Sequence, residues 1–535
     1  MNKIRGVRVW RNSIPFIAAI TLVLAELATA DRQSAHAQAV EIAGPIEAIL
    51  RSGEGVSPQD LGALKQFYEA RKYRSAWFDG QSLNADGATA IAAIGASNDH
   101  GLDPANYELV NLRKPLGERG PDMIARRDVF LTIQVLHYCA DVRNGRDELL
   151  RLDPDVDLPR DDFDQASALS HALLERKLPE FLQAQPPQSA TYAALKAALE
   201  NYRVVAEKGG WGELQPTSKF EAKDANAETL AFLQRRLKLQ DPAFASNPSP
   251  AVSDINSAIR RFQISNGLDG DGVVGRATLA ALNVSAETRV AQIAANMERL
   301  RWLPHTPENS YVTVNVPNAT LVVVGNGVEL LSSRVIVGRP NDRTPIFRAM
   351  ITEVVANPPW VVPKTIARAE ILPKLKKNPS YLVDHQMIMA NGQIRQLPGP
   401  KNALGFLKLN VSDRFAVYLH DTPSRTLFAR NERFLSHGCI RVQQIVPLAS
   451  YALTGDFTGG AERLAAAIAT GQTVRLTLKA PIPLYVNYFT TFLSADGSLQ
   501  FRLDIYGRDA RLIAAMRGRS FAQATDSTGV CRRPA

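Results

Sequence analysis

Thiols are scarce in this 535-residue chain: Cys139, Cys439 and Cys531 are its only cysteines. An odd number without regular spacing excludes a disulfide scaffold. Metal-ligand spacing is missing too. The eight histidines include no His-x-x-x-His pair, and no Cys-x-x-Cys occurs, so a zinc hydrolase lacks its ligands. The local signature of a papain-like protease is also absent. Beyond residue 30 no apolar run is long enough to span a bilayer, which needs ~20 residues. Long low-complexity stretches are lacking as well. With 45% hydrophobic and 21% charged residues, the composition is ordinary globular and the length suits three or four domains.

Charge is present but not clustered. The net charge of +9 is scattered, which argues against a nucleic-acid partner and suits an anionic envelope polymer or membrane surface. Lys3, Arg5, Arg8 and Arg11 precede an apolar run from Ile14 to Ala25, broken by Thr21. Ala35-His36-Ala37 and Ala37-Gln38-Ala39 then fit small-x-small cleavage sites. Residues 1–39 therefore read as a signal peptide or an uncleaved inner-membrane anchor. Either exports the body to the periplasm.

From about Ile42 the apolar residues recur with a helical period, as in 58–68, 86–94, 125–143 and 191–202. Residues 42–220 are thus expected to form a mainly α scaffold domain. Cys139, at an apolar helical position, is expected to be buried as a small hydrophobe. Cys531 lies in a polar tail.

Residues 225–285 hold two short amphipathic helices, the second with Ser253 as expected N-cap, then a glycine-rich turn and a third helix. Asp269 and Asp271 in the turn lack the third oxygen and closing glutamate of an EF-hand, so calcium is rejected. The string Phe262-Gln263, Gly267-Leu268, Asp271-Gly272, Gly275 and Thr278 resembles the peptidoglycan-binding domain of bacterial wall hydrolases.

Residues 308–480 alternate with period two, as in 311–316, 320–324, 333–337, 351–356, 415–419 and 473–478. Such strands suggest a mainly β sandwich or barrel. A helix over 365–377 interrupts them, and 364–402 is a candidate lid. Past Pro481 a C-terminal extension, 481–535, is expected to form one hairpin, 484–492 with 499–505.

The densest chemistry is Ser436-His-Gly-Cys-Ile-Arg441. A thiol needs a cation or base beside it to act as a nucleophile. His437 and Arg441 flank Cys439, and His420 ends a strand nineteen residues earlier. Nucleophile plus base is the minimum for acyl transfer.

That constellation resembles the catalytic motif of the YkuD-type L,D-transpeptidases: a strand-end histidine, then Ser-His-Gly-Cys-x-Arg. Asn357-Pro-Pro-Trp360, Val337-Gly-Arg-Pro340 and Asn296-Met-Glu-Arg-Leu-Arg-Trp-Leu-Pro304 extend the likeness. The order of units is similar to the large branch with a scaffold and a peptidoglycan-binding domain. The resemblance implies Cys439 as nucleophile and His420 as proton donor and acceptor. It implies oxyanion stabilisation around Gly438, loop ordering or carboxylate binding by Arg441, a loop role for Ser436 and support from His437. Trp360 and Tyr418 are candidate substrate contacts, although aromatics beside such a site are more often core. The implied substrate is a peptidoglycan tetrapeptide stem on its glycan strand, cross-linked 3→3 through a thioester. No metal or cofactor is implied, and carbapenems are the implied inhibitors. A carboxypeptidase, a wall-anchoring transferase or a non-catalytic wall-binding protein stay open as alternatives, as does an activating periplasmic partner.

Overall fold

The structure, a computed structural model, describes residues 42–526 except 115–119, 161 and 216–217. Residues 1–39, expected to direct export, and Cys531 lie outside the described residues. Among the described residues no helix is long and apolar enough to cross a membrane.

The helical unit is organised around α1 (Pro121–Asn144), which Pro121 opens at a position where no N–H is needed. Ile124, Val129, Leu131, Val135, Cys139 and Val142 are buried along it. Burial pushes the Cys139 thiol up to about 12, which makes it unreactive. Asp128 is buried on the same helix. It accepts from Tyr68 Oη at 2.7 Å, Ser75 Oγ at 2.6 Å, and the Ala76 and Trp77 N–H groups at 3.0 and 2.9 Å.

The helices α2 (Ala190–Glu207), α3 (Ala227–Lys238), α4 (Val252–Ser265), α5 (Arg276–Leu282) and α6 (Ala286–Arg301) follow. Ser253 does not cap α4. The helix starts at Val252, and the Asp254 carboxylate accepts the Ala251 N–H at 2.9 Å, holding the first turn instead. The glycine-rich turn is clamped by Gln263, whose Oε1 accepts the Gly272 N–H at 2.8 Å. Its Nε2 donates to Asp271 Oδ1 at 2.8 Å and Thr278 Oγ1 at 3.0 Å. Gly272 has φ +79, a left-handed conformation that costs glycine little. This unit does not keep a core of its own: Phe232, Ile259 and Phe262 pack into one cluster with Tyr192, Leu199, Ile293, Met297 and Phe501.

Among the described residues, eight strands form the ring of the third unit: β1 (Ser310–Asn315), β2 (Thr320–Gly325), β3 (Val328–Gly338), β4 (Ile346–Ala356), β5 (Leu407–Val411), β6 (Leu419–His420), β7 (Ile440–Val442) and β8 (Val474–Asn487). They are hydrogen-bonded in the order β4-β5-β6-β7-β3-β2-β1-β8, and β8 returns to β4. The mainly β domain is therefore one sheet closed on itself, which leaves no free edge inside the ring. Val312, Val314, Leu321, Val323, Leu409, Leu419, Ile440, Leu484 and Val486 fill its core. The expected strand 415–419 is mostly loop, because Ala416 adopts φ +56.

Pro481 is not a boundary. β8 runs through it, with the register shift between Thr477 and Ile482 absorbing a residue that has no N–H to donate. Residues 484–487 thus complete the ring beside β1, and the hairpin is the smaller Thr491–Leu493 with Leu499–Phe501. The helix α7 (Arg508–Asp526) follows. Arg508 at its start joins three units. Its Nε meets Asp153 at 2.8 Å, and its Nη1 donates to the Thr344 carbonyl at 3.2 Å.

The candidate lid is more than a helix. Lys364–Ile366, a wide turn over Ala367–Ile371 and Leu372–Lys377 run on into the strands Met387–Ala390 and Gln393–Gln396, which pair with Trp360–Val361. Pro373 lacks the N–H that regular helix geometry would use, in keeping with the widened turn before it. Val362, Ile371, Met387 and Ile394 give this segment a small core of its own.

Candidate active site

Strand alternation explains how a loop motif and a distant histidine meet. β6 and β7 are parallel neighbours, with Leu419 opposite Ile440 and His420 opposite Arg441. Leu419 and Ile440 point into the core. Tyr418, His420, Cys439 and Arg441 alternate with them and share the outer face. β5 adds Lys408, which stands opposite His420 while Leu409 stands opposite Leu419.

The Cys439 turn is tightly held. Gly438 sits at φ +108, where a side chain would be strained. Its carbonyl accepts from Thr344 Oγ1 at 2.8 Å, and Ser436 Oγ donates to the Cys439 carbonyl at 2.6 Å. The Gly438 N–H donates to Ser436 Oγ at 3.2 Å. The oxyanion donor expected from Gly438 is therefore already engaged. The Cys439 N–H has no acceptor among the described residues, and it is the one left available.

His420 is buried, and Arg441 and Lys408 are cations beside it. Burial first, then Arg441, lowers its pKa to about 3, so the ring is neutral. Its Nδ1 lies 2.6 Å from the Asp421 carbonyl. A carbonyl only accepts, so Nδ1 carries the proton and Nε2 keeps its lone pair. Cys439 is partly buried, and that burial raises its thiol above the ordinary value. Tyr418 and Lys408 oppose the rise. The resting pair is therefore thiol and neutral imidazole. Tyr418 precedes His420 on that face and favours the charged form of Cys439. Its ring lies 5.5 Å from that of His420, and Lys408 Nζ sits 4.0 Å over it.

Residues 309–473 match the L,D-transpeptidase catalytic domain family (YkuD), residues 62–199 the scaffold domain, and residues 228–282 the family described as “Putative peptidoglycan binding domain”. The chain carries an L,D-transpeptidase catalytic domain. A Haemophilus influenzae protein named “Putative L,D-transpeptidase” is 32% identical over 272 residues, covering 46% of this chain and 54% of its own. The chain thus spans about half the length of that relative. A solved structure, the Ldtfm–avibactam carbamoyl enzyme, aligns at 13% identity over 34% of this chain and 49% of its own. Its TM-score of 0.20 carries no argument.

Two groups of the L,D-transpeptidase domain escaped sequence reasoning. Lys408 carried a signal, a lysine between two core leucines on one strand. Glu370 carried none, because it lies in the lid segment and reaches the motif only through the fold. His437 meets the lid segment, its Nε2 2.7 Å from Glu370, and Arg339 meets the same carboxylate at 3.3 Å. The lid segment is thereby tied to the loop that holds Cys439. Arg441 makes no hydrogen bond to that loop, and its buried Nε has no partner among the described residues. Metal-ligating clusters are absent among the described residues.

Proposed function

We propose that the protein is a periplasmic cysteine L,D-transpeptidase that cross-links peptidoglycan 3→3. The observation that carries this reading is the common face of β6 and β7, where a strand-held neutral imidazole, His420, shares the surface with the Cys439 thiol. Cys439 Sγ attacks the carbonyl of the third stem residue, a diaminopimelate, as His420 Nε2 takes the thiol proton. His420 returns that proton to the departing D-alanine amine, leaving a thioester. The side-chain amine of a second stem then attacks the thioester, its proton passes to His420, and the thiolate is released. The Cys439 N–H is the donor available to the oxyanion. Arg441, with an unmet N–H, suits a substrate carboxylate better than loop ordering. Tyr418 favours the thiolate of Cys439, and Trp360 opens the sheet of the lid segment by pairing with Gln396. His437 serves the lid contact, and Ser436 braces the turn.

The peptidoglycan-binding domain supports a wall substrate, and the basic, apolar N-terminus supports export with cleavage or anchoring. Incubating the exported chain with disaccharide tetrapeptide tests the reading by mass spectrometry. Released D-alanine together with a 3→3 dimer is expected. Tripeptide without dimer would make the protein a carboxypeptidase, and unchanged substrate would contradict the acyl-transfer reading.

A further inference from the structure

On the far side of the ring from Cys439, the scaffold, the end of α6, the outer faces of β1, β2 and β8, and the C-terminal hairpin enclose a cavity of about 530 Å³. This lies within the range of small-ligand sites, about 300–1,000 Å³. Its place follows from the strand order. β1 stands four strands from β6 counted either way, and β8 four from β7. It is also formed by the alternation that fills the core: Val312, Val314, Leu484 and Val486 point in, so Tyr311, Thr313, Tyr485 and Asn487 point out.

We propose that this cavity binds an uncharged oligosaccharide. In a chain with 21% charged residues, its walls hold one carboxylate, Glu329, and neither lysine nor arginine. The neighbouring Arg502 is engaged by Asn318 Oδ1 at 2.8 Å and the Ser265 carbonyl at 2.9 Å, and the Nε2 of His305 in the wall lies 2.9 Å from the Arg143 carbonyl. An anionic ligand would therefore find no lysine or arginine in the walls, and a cationic ligand only a single counter-charge. Tyr311, Phe489 and Phe492 present partly exposed rings, which suit the flat C–H face of a sugar. Around them stand neutral hydrogen-bonding groups. Ser189 Oγ accepts from the Tyr192 N–H at 3.2 Å and Thr313 Oγ1 from Asn487 Nδ2 at 3.0 Å, so each keeps a hydroxyl proton to donate. A lipid chain would bury these groups unpaired, at about 1–3 kcal/mol each. An extended peptide would need a strand edge, and β1, β2 and β8 are each paired on both sides.

The test is calorimetric titration of the full chain with a tetramer of N-acetylglucosamine. The groove variants are Phe492→Ala and Thr313→Val, and carbapenem acylation of Cys439 serves as the readout of an intact fold. Binding should weaken about tenfold or more on losing the Phe492 ring and less in the shape-conserving Thr313→Val, with acylation unchanged in both. No binding at millimolar sugar, or equal affinity in the wild type and both variants, would overturn the proposal. The acylation readout is independent of it, so a failure here leaves the transpeptidase reading to its own test.

Discussion

In the helical unit, Asp128 is enclosed and meets two side-chain hydroxyls and two backbone N–H groups. On the outer face of β5, β6 and β7, ionisable groups are likewise withdrawn from water. There bonds stay unmade: the Cys439 N–H, the Arg441 Nε and the lone pair of His420 Nε2 have no partner among the described residues. Lys408 faces a ring instead of a carboxylate. A buried polar group with all its partners holds a fold together. One left a bond short is costly to stability, and the missing partner is a ligand or a reacting atom.

His420→Gln breaks the comparison most severely. Carbapenem acylation should slow ~100- to 10,000-fold, as for loss of a general base, while the far-ultraviolet circular dichroism stays unchanged. Asp128→Ala should do the reverse, costing about 3 kcal/mol by orphaning buried donors. Amide-exchange protection along α1 would fall, and the folded fraction would acylate at the wild-type rate.

Acid sharpens the contrast from another side. Burial holds His420 and His100 neutral, with pKa lowered to about 3 in each. Unfolding lets them take up protons below their ordinary value. Their stabilisation is therefore complete above about pH 6.5 and declines as pH falls toward 3, by about 2 kcal/mol per histidine at pH 5. Denaturant titrations at pH 7 and 5 would show the loss, and His100→Gln should remove about half of it. Acylation should stay level from pH 7 to 5, because the base remains unprotonated.

Lys408→Met removes the cation that opposes the rise in the Cys439 pKa. Acylation at neutral pH should slow by about tenfold, as expected when one opposite charge is lost. The smallest effect is expected at Glu370→Gln. It cuts a partly exposed ion pair worth about 1 kcal/mol or less, so thermal unfolding should hold steady while limited proteolysis within 364–402 quickens.

The L,D-transpeptidase signature was readable because its chemistry is contiguous: Ser436 to Arg441 is one turn, and a histidine at a strand end is a local pattern. The helical unit, with its 3.6-residue period, was as plain. Pairings between distant segments were not. Glu370 reaches His437 across 67 positions. Tyr506, whose hydroxyl donates to the Gly338 carbonyl at 2.5 Å, braces the end of β3 across 168. Pro481 looked like an end because proline usually stops a ladder, yet a bulge carried β8 past it. The shared core of the peptidoglycan-binding unit was hidden for a related reason: an amphipathic helix declares an apolar face and not what will cover it.

The central claim is that Cys439 is an acyl acceptor activated by His420. Intact-protein mass spectrometry with a carbapenem, on wild type, Cys439→Ala and His420→Gln, tests it most directly. A single adduct on the wild type is predicted, absent from Cys439→Ala and much slower to form on His420→Gln. No adduct on folded, reduced wild type, or equal labelling of all three, would contradict it.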